Sequence, residues 1–441
     1  MMINVKRGAA IIIRGLKAQS FQAYLVGGCI RDALLGKAPE EWDITTSARP
    51  QQVAKLFKKV IPTGIEYGTV TILLDDGRYE VTTFRADERY VDGRHPSNVV
   101  FTDDIHKDVS RRDFTINAIA FDPETEQLID DFEGQKDMKD KTIRTVGSPA
   151  DRFREDGLRP IRACRFAAQL DFEIDQATLE AIPKTLEIVK KVAPERVHDE
   201  LVKMLSADRP SIGLEYMRQS GLLQLIMPEL AAGFGVEQPP EFHPYDVYRH
   251  SLYSCDAAPK NNLVVRLAAL LHDIGKPSCK EGFTFYNHER VGTEMAEQIM
   301  RRLKFSNDEI EKVKNLIINH MFDYSSQWSD AAVRRFIRRI GGLGNVKDLF
   351  LLREADAKAM KNVIGIDYLS ELQRRIDKVV EEENALHVTD LKVDGNDVTQ
   401  VLKIKPGPKV GQVLNNLLEK VLDDPKLNER ETLLELIRSH A

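Results

Sequence analysis

Three carboxylates in the first fifth of the chain have the type and spacing for phosphoryl chemistry. Glu41 and Asp43 flank Trp42 just before the strand-like Ile-Thr-Thr, so both side chains fall on one face of an extended segment. Glu80 lies in a second strand-like run, Arg-Tyr-Glu-Val-Thr-Thr-Phe. Acids converging on one sheet face repel each other unless they hold cations. Mg²⁺ takes oxygen ligands from a few carboxylates and from substrate phosphates. Two such ions can clamp the attacking and leaving oxygens of a phosphoryl displacement. The plainer alternative leaves Glu40 and Glu41 as solvated loop acids.

Cationic and polar residues that suit a nucleotide surround these acids in the sequence. Gly27 and Gly28 follow an apolar run and open a short helix, where backbone N–H groups can approach an anion, and Arg31 sits one turn in. A tight strand-to-helix turn would look the same. In Arg-Arg-Asp-Phe-Thr-Ile-Asn, Arg111 and Arg112 offer forked donors, and Asp113 and Asn117 offer contacts to sugar or phosphate. The alternative is a basic surface step before a strand. In Asp-Arg-Phe-Arg-Glu-Asp-Gly-Leu-Arg-Pro, Glu155, Asp156 and Arg159 are neighbours if the stretch is helical. An Asp acceptor and an Arg donor can together read the hydrogen-bonding edge of a base, although intrahelical ion pairing needs the same spacing. Arg162 and Arg165 continue that flank and could meet a triphosphate.

A second cluster lies further on. Five of the ten histidines, His243, His250, His272, His288 and His320, fall between residues 243 and 320. His272 and Asp273 precede Gly275 and Pro277, which end a helix and make shared binding easier. An Asp can bridge two ions while imidazole nitrogens complete each.

The elements that position these groups follow from patterning. Two alternating runs around Asp75-Asp76-Gly77 predict a hairpin, and a further strand pair is expected around Asp122-Pro123. From about residue 151 strand signals nearly vanish, and helical patterns follow one another to about residue 385. The stretch 84–101, rich in charge with Gly and Pro, predicts a mobile loop, and 378–390 a charged joint. The expected fold is α+β: a small mixed-sheet head followed by a long all-α neck, body and tail. The expected parts are a head over 1–145, a neck for base recognition over 146–205, a helical body over 206–387 and a helical tail over 388–441 that contacts RNA.

Bulk properties narrow the classes. The chain has 441 residues, 30% of them charged, and a net charge of −6, so a nucleic-acid partner would need local basic patches. Arg301–Lys304 and Val333–Gly341 are candidates, as phosphate contacts or as solvated helix faces. Cys29, Cys164, Cys255 and Cys279 are scattered without CxxC spacing, which predicts a reduced cytoplasmic protein and argues against a structural zinc site. No uncharged apolar run approaches the roughly 18 residues of a membrane span. Nothing in the sequence signals an oligomeric state.

The ordered set Leu-Val-Gly-Gly-Cys-Ile-Arg-Asp, the acid pair, Glu-Val-Thr-Thr-Phe-Arg-Ala-Asp, Arg-Tyr-Val-Asp-Gly-Arg-His-Pro, Arg-Arg-Asp-Phe-Thr-Ile-Asn-Ala, the Glu155–Ala167 stretch and Pro-Glu-Arg-Val-His-Asp-Glu-Leu resembles the class II tRNA nucleotidyltransferase and poly(A) polymerase family, closely over about residues 20–205. That family belongs to the DNA polymerase β-like nucleotidyltransferase superfamily. The resemblance implies untemplated addition of C, C and A to tRNA 3′ ends from CTP and ATP. It implies Mg²⁺ on Glu41 and Asp43, nucleotide contacts from Gly28, Arg31 and Arg112, triphosphate contacts from Arg162 and Arg165, and base pairing by Asp156 and Arg159. Glu41 departs from the family's Asp-x-Asp, and Gly157 and Pro160 depart from its Glu-Asp-Pro-Leu-Arg. The intact loop at 88–96 and the missing Gly-Arg-Arg-Phe-Arg stretch favour CCA addition over CC addition or poly(A) synthesis. His250, His272, Asp273 and Asp356 resemble the HD phosphohydrolase superfamily, with His288 and His320 matching the further ligands of its two-metal members. That implies a divalent Mn²⁺, Fe²⁺, Co²⁺ or Ni²⁺ and hydrolysis of phosphoesters. Rival readings are a poly(A) polymerase or partial adder, an HD phosphohydrolase with an inactive head, and a non-catalytic tRNA-binding protein.

Overall fold

The structure, a computed structural model, describes residues 3–87, 99–360, 366–381 and 387–439. Most of the expected loop, residues 88–98, and part of the expected joint, 382–386, lie outside the described residues. The chain divides into two compact units, Met1–Pro228 and Glu229–Ala441.

The first unit is built on a mixed sheet. Its strands are β1 (Ala23–Val26), β2 (Ile44–Thr46), β3 (Val60–Gly64), β4 (Thr69–Leu74), β5 (Gly77–Thr83), β8 (Ala120–Asp122) and β9 (Gln127–Ile129), in the order β3-β4-β5-β2-β1-β8-β9. Two further strands, β6 (Arg85–Asp87) and β7 (Val99–Phe101), form a separate ribbon, and Thr142–Ile143 pairs parallel with Glu173–Ile174. Both expected hairpins are present: β4 pairs antiparallel with β5, and β8 with β9. β2 and β5 run parallel, which makes the sheet mixed. Period-2 patterning explains β5: Tyr79, Val81 and Thr83 are buried while Glu80 points the other way and is exposed. The helix Arg7–Lys17 lays Ala9, Ile12, Ile13 and Leu16 against the sheet.

Helices follow. Pro149–Glu155 and Arg159–Leu170 are separate, because Asp156 leaves helical geometry (φ −141°, ψ 111°) and Pro160 sits at the start of the second. The helix expected across this stretch is therefore broken where the proline predicts. Pro194–Leu205 and Pro210–Gln219 pack on Arg159–Leu170, so the first unit continues past residue 205.

The second unit is helical. Val247–Ala257, Leu263–Leu271, Asn307–Asn319 and Leu343–Lys358 pack together, with His288–Arg302 against Asn307–Asn319. Its last residues form a small core of their own around Val413, Leu417, Leu418, Val421, Leu433 and Ile437. Helix Asp330–Ile340 grips that core. Arg334 is buried and its Nε donates to the Leu422 carbonyl at 2.8 Å; Arg335 pairs with Asp423 at 2.6 Å, and Arg338 pairs with Glu419. Arg301 and Arg302 pair with Glu297 and Glu229. The two clusters offered as RNA contacts thus spend these guanidiniums inside the helical unit. No helix among the described residues is long and apolar enough to cross a membrane.

Candidate functional site

The sheet brings the three acids together. β1 ends and β2 begins at the same edge, since the two are antiparallel and Val26 N–H donates to the Asp43 carbonyl at 3.1 Å. Ile44 is level with Val81 across the parallel pair, so Asp43 and Glu80 stand one step before it on adjacent strands. Glu41 and Asp43 precede β2 rather than lying within it, with Trp42 buried between them. Burial raises the Asp43 carboxyl to about 6; Arg112 pulls it down, and Glu80 and Glu41 push it further up. This excess of negative charge suits a divalent cation, and the oxygen-only donor set suits Mg²⁺.

Gly27 makes the crowding possible. Its φ is +79°, and a Cβ there would meet Arg112 Nη1 at 3.1 Å and Asp43 Oδ2 at 3.9 Å. Arg112 is in turn held by a residue the sequence reading missed. Asp108, fully buried, accepts from Arg111 Nη2 (2.9 Å), Arg112 Nη2 (3.5 Å) and the Thr45 hydroxyl of β2 (3.1 Å). Burial opposes its ionisation, but Arg111 and Arg112 outweigh it and lower its carboxyl from the ordinary value. Arg112 Nε is buried with no hydrogen-bond partner.

The remaining cations form one network from the Gly27 turn into the helices. Arg31 Nη1 donates to Asn117 Oδ1 (2.8 Å), Asn117 Nδ2 to Asp113 Oδ1 (3.2 Å), and Arg162 Nε to Asp113 Oδ2 (2.7 Å). Arg162 also approaches Glu200 (3.5 Å), which pairs with Arg165. Asp113 is held far below the carboxylate range by Arg162 and Arg159, against the pull of burial. Phe166 is the hub: the guanidinium carbons of Arg31, Arg162 and Arg165 lie 5.1, 5.3 and 3.6 Å from its ring centre. Three cations around one ring suit a polyphosphate.

The Asp156 and Arg159 side chains lie near this network without bonding each other, while Arg159 N–H donates to the Asp156 carbonyl at 3.0 Å. Arg159 Nη1 donates to Glu155 Oε2 (2.6 Å) and Nη2 to the Arg111 carbonyl (3.0 Å), while Asp156 is bound by Arg196. The ion pairing weighed for this stretch is therefore present for Glu155–Arg159.

The second unit gathers all six expected metal-binding residues. His272 caps the C-terminus of Leu263–Leu271, His320 that of Asn307–Asn319, and His288 opens His288–Arg302. Asp273 Oδ2 lies 3.2 Å from His272 Nε2 and 3.6 Å from His250 Nε2; its Oδ1 lies 3.4 Å from His288 Nε2 and 3.8 Å from His320 Nε2. Asp356 Oδ1 approaches His250 Nε2 at 3.0 Å. The Nδ1 atoms of His272, His288 and His320 bond to the carbonyls of Ala269, Phe285 and Ile317 at 2.9, 2.8 and 2.7 Å. Each Nδ1 is thereby the donor, which turns each Nε2 toward Asp273.

His250 Nε2 and His272 Nε2 are buried without hydrogen-bond partners. Burial pulls His272 down, but the adjacent Asp273 and Asp356 carry it up to about 10, so the carboxylates draw positive charge between them. Gly275 lets the His288 helix close in: a Cβ there would stand 2.3 Å from the His288 carbonyl and 2.7 Å from Gly292 N. The cluster opens into a cavity of about 920 Å³ lined by Lys276, Arg353, Phe285 and Tyr286 as well.

Comparison with known proteins follows this geometry. The poly A polymerase head domain matches residues 23–144, the RNA- and SrmB-binding site of polymerase A residues 171–234, and tRNA nucleotidyltransferase domain 2 residues 285–437. A CCA-adding enzyme of Enterococcus faecalis is 33% identical over 98% of this chain and 95% of its own. The chain belongs to the CCA-adding enzyme family. A second member, from Streptococcus suis, is 31% identical over 97% of this chain and 95% of its own. The solved CCA-adding enzyme of Bacillus stearothermophilus, in complex with CTP, is 26% identical, with a TM-score of 0.76 over 99% of this chain and 98% of that one. The fold extends to a Thermotoga maritima CCA-adding enzyme complexed with tRNA, at 19% identity and a TM-score of 0.57 over 99% of this chain and 96% of that one. The family resemblance and the α+β class expected from sequence are thus borne out.

The raised carboxyl has a measurable consequence within this family's head. Asp43 ionises at about 6 in the fold against an ordinary 3.8. Between those values the native chain holds a proton that the unfolded chain has lost, so stability falls as pH rises through this window, and the deficit persists above it. Asp43→Asn should therefore raise Tm at about pH 8 with divalent cations chelated, and the gain should disappear near pH 4. Calorimetry at the two pH values decides; equal Tm at the higher one contradicts the electrostatic argument.

Proposed function

We propose that this protein adds CCA to tRNA 3′ ends from CTP and ATP. The observation that carries the reading is the convergence of Glu41, Asp43 and Glu80 beside the Gly27 turn, in a chain alike to CCA-adding enzymes from end to end. Divalent cations are a general requirement of nucleotidyltransferase polymerases, and here Glu41, Asp43 and Glu80 would hold Mg²⁺. When bound, it would neutralise charge on the phosphates and activate the attacking hydroxyl. The chain's own groups bind and orient. Arg31, Arg162 and Arg165 take the triphosphate, Arg111, Arg112, Asp113 and Asn117 the sugar and phosphates, and Gly28 gives backbone access. Asp156 and Arg159 meet the base. We place the protein in the cytoplasm, where its substrates are.

Incubating tRNA that lacks its 3′ end with labelled CTP and ATP, each omitted in turn, tests the reading. CCA product supports it. Long A tails would favour a poly(A) polymerase, and no incorporation would leave a hydrolase or a tRNA-binding protein. Asp156→Ala or Arg159→Ala should lower the preference for CTP and ATP over UTP and GTP by roughly tenfold to hundredfold, because an unpaired base edge costs about 1–3 kcal/mol. Rates that fall equally with all four nucleotides would make the pair structural.

A second reading applies to the second unit, favoured by the three Nε2 atoms aimed at Asp273. His250, His272, Asp273 and Asp356 would hold one Mn²⁺, Fe²⁺, Co²⁺ or Ni²⁺ ion, with His288 and His320 contributing to a second across Asp273. The ions would supply Lewis acidity for phosphoester hydrolysis, with Lys276 and Arg353 facing the phosphate.

A further inference from the structure

We propose that Arg196 determines base selection as a positioning residue, acting through Asp156. The inference rests on the nucleotide-adding reading above and deepens it. Arg196 lies on the helix Pro194–Leu205, which also carries Glu200, the partner of Arg165. Arg196 Nη1 donates to Asp156 Oδ1 at 3.1 Å and Nη2 to Oδ2 at 2.8 Å. The Leu158 N–H gives the carboxylate a third bond, the second on Oδ1, at 3.0 Å.

A carboxylate has about four acceptor positions. The fork and the Leu158 N–H occupy two on Oδ1 and one on Oδ2, so the open acceptor belongs to Oδ2. Two parallel N–H···O bonds also fix the plane of the carboxylate, which no single donor does. Asp156 stands outside helical geometry between two helices; the Arg159 N–H holds its carbonyl at 3.0 Å, and the direction of its carboxylate is set by the groups that bond it. Its side chain keeps 20% of its surface exposed, enough for a base edge to reach.

One fixed acceptor sorts the four bases by chemistry. Cytosine and adenine carry an exocyclic amino group and donate; uracil and guanine carry a carbonyl oxygen at the same edge and accept. An acceptor that cannot turn away pairs with the first two and repels the others. Without the fork, the Leu158 N–H alone holds Oδ1, so the carboxylate plane can turn about that bond, exchange with water, and in its protonated form donate to a carbonyl oxygen. Arg196 therefore sets which half of the nucleotides the site takes, without touching any of them.

The test measures kcat/KM for CTP and UTP separately, on tRNA lacking its 3′ end, for the wild-type protein, Arg196→Met and Arg196→Lys. Arg196→Met keeps much of the length and removes the fork; it should lower the CTP-to-UTP ratio by roughly tenfold to hundredfold. Arg196→Lys keeps the charge but not the planar fork and should fall between. The double variant Arg196→Met with Asp156→Ala should be no less selective than Asp156→Ala alone, since the fork acts only through that carboxylate. A purely structural arginine would slow both nucleotides by one factor, and an unchanged ratio overturns the proposal. If Arg196→Met does not fold, Arg196→Lys decides by the same ratio. A wild-type protein that incorporates neither CTP nor ATP would defeat the nucleotide-adding reading and this inference with it. A selective wild type whose Arg196 variants are equally selective defeats the inference alone.

Discussion

Asp43→Ala should abolish nucleotide addition, by about a thousandfold or more, and leave untouched the phosphoester hydrolysis proposed for the second unit. The size follows from what the residue does. A cation at a phosphoryl centre contributes several kcal/mol, and each ~1.4 kcal/mol is about tenfold in rate. Asp43 is the most buried of the three acids, and the other two are exposed, so it has the least freedom to be replaced by a neighbour shifting. Incorporation of labelled CTP and hydrolysis of a generic phosphoester, measured on the same preparation, separate the outcomes. Loss of both activities together would mean global unfolding or one shared site. Retention of addition would remove Asp43 from the centre.

Asp273→Asn should do the converse. It replaces one oxygen of the residue that faces His250 and His272 on one side and His288 and His320 on the other. An amide carries no charge to balance a cation, and its nitrogen does not ligate, so both groups of ligands are weakened at once. Bound divalent metal by elemental analysis should fall to a trace, and EDTA-sensitive hydrolysis of a phosphomonoester or a 2′,3′-cyclic phosphodiester should fall about a hundredfold or more, with CCA addition unchanged. Wild-type protein that carries no metal and hydrolyses nothing with any divalent ion tried would leave the cluster as a packed histidine core.

Much of this was legible in the sequence, for identifiable reasons. The β4–β5 hairpin announces itself by period-2 alternation around Asp-Asp-Gly, and the turn after β1 by Gly27 and Gly28. His272 and Asp273 are marked locally by a helix end before Gly275 and Pro277, whereas His250, His288, His320 and Asp356 were reached through the resemblance to the HD superfamily. What escaped were partners that act across long separations. Arg196 is 40 residues from Asp156, and Glu200 is 35 from Arg165. Both lie in Pro-Glu-Arg-Val-His-Asp-Glu-Leu, a stretch matched to the family without a role for either. Asp108 and Phe166 sit on helices where a lone acid or a lone aromatic is ordinary. Reading Glu155, Asp156 and Arg159 as one helical face overlooked that Gly157 stands within 2.7 Å, measured from a Cβ built there, of the Ile188 carbonyl, so the chain bends where only glycine fits. The Nδ1–carbonyl bonds that aim the histidines leave no mark in the sequence, because any residue supplies the carbonyl.

The ring of guanidiniums around Phe166 bears on turnover. Arg31 rests on Asp32, Arg162 on Asp113 and Arg165 on Glu200. If these three arginines take the triphosphate as proposed, an arriving polyphosphate would find each of them already paired; it would exchange one anionic partner for another, and the carboxylates would take their arginines back. On that assignment the exchange would give up ground-state grip in return for a faster off-rate of pyrophosphate. For an enzyme that adds three nucleotides in succession to one tRNA, the leaving product has to clear the site before each new triphosphate enters, and a pocket that neutralises itself when empty shortens every one of those intervals.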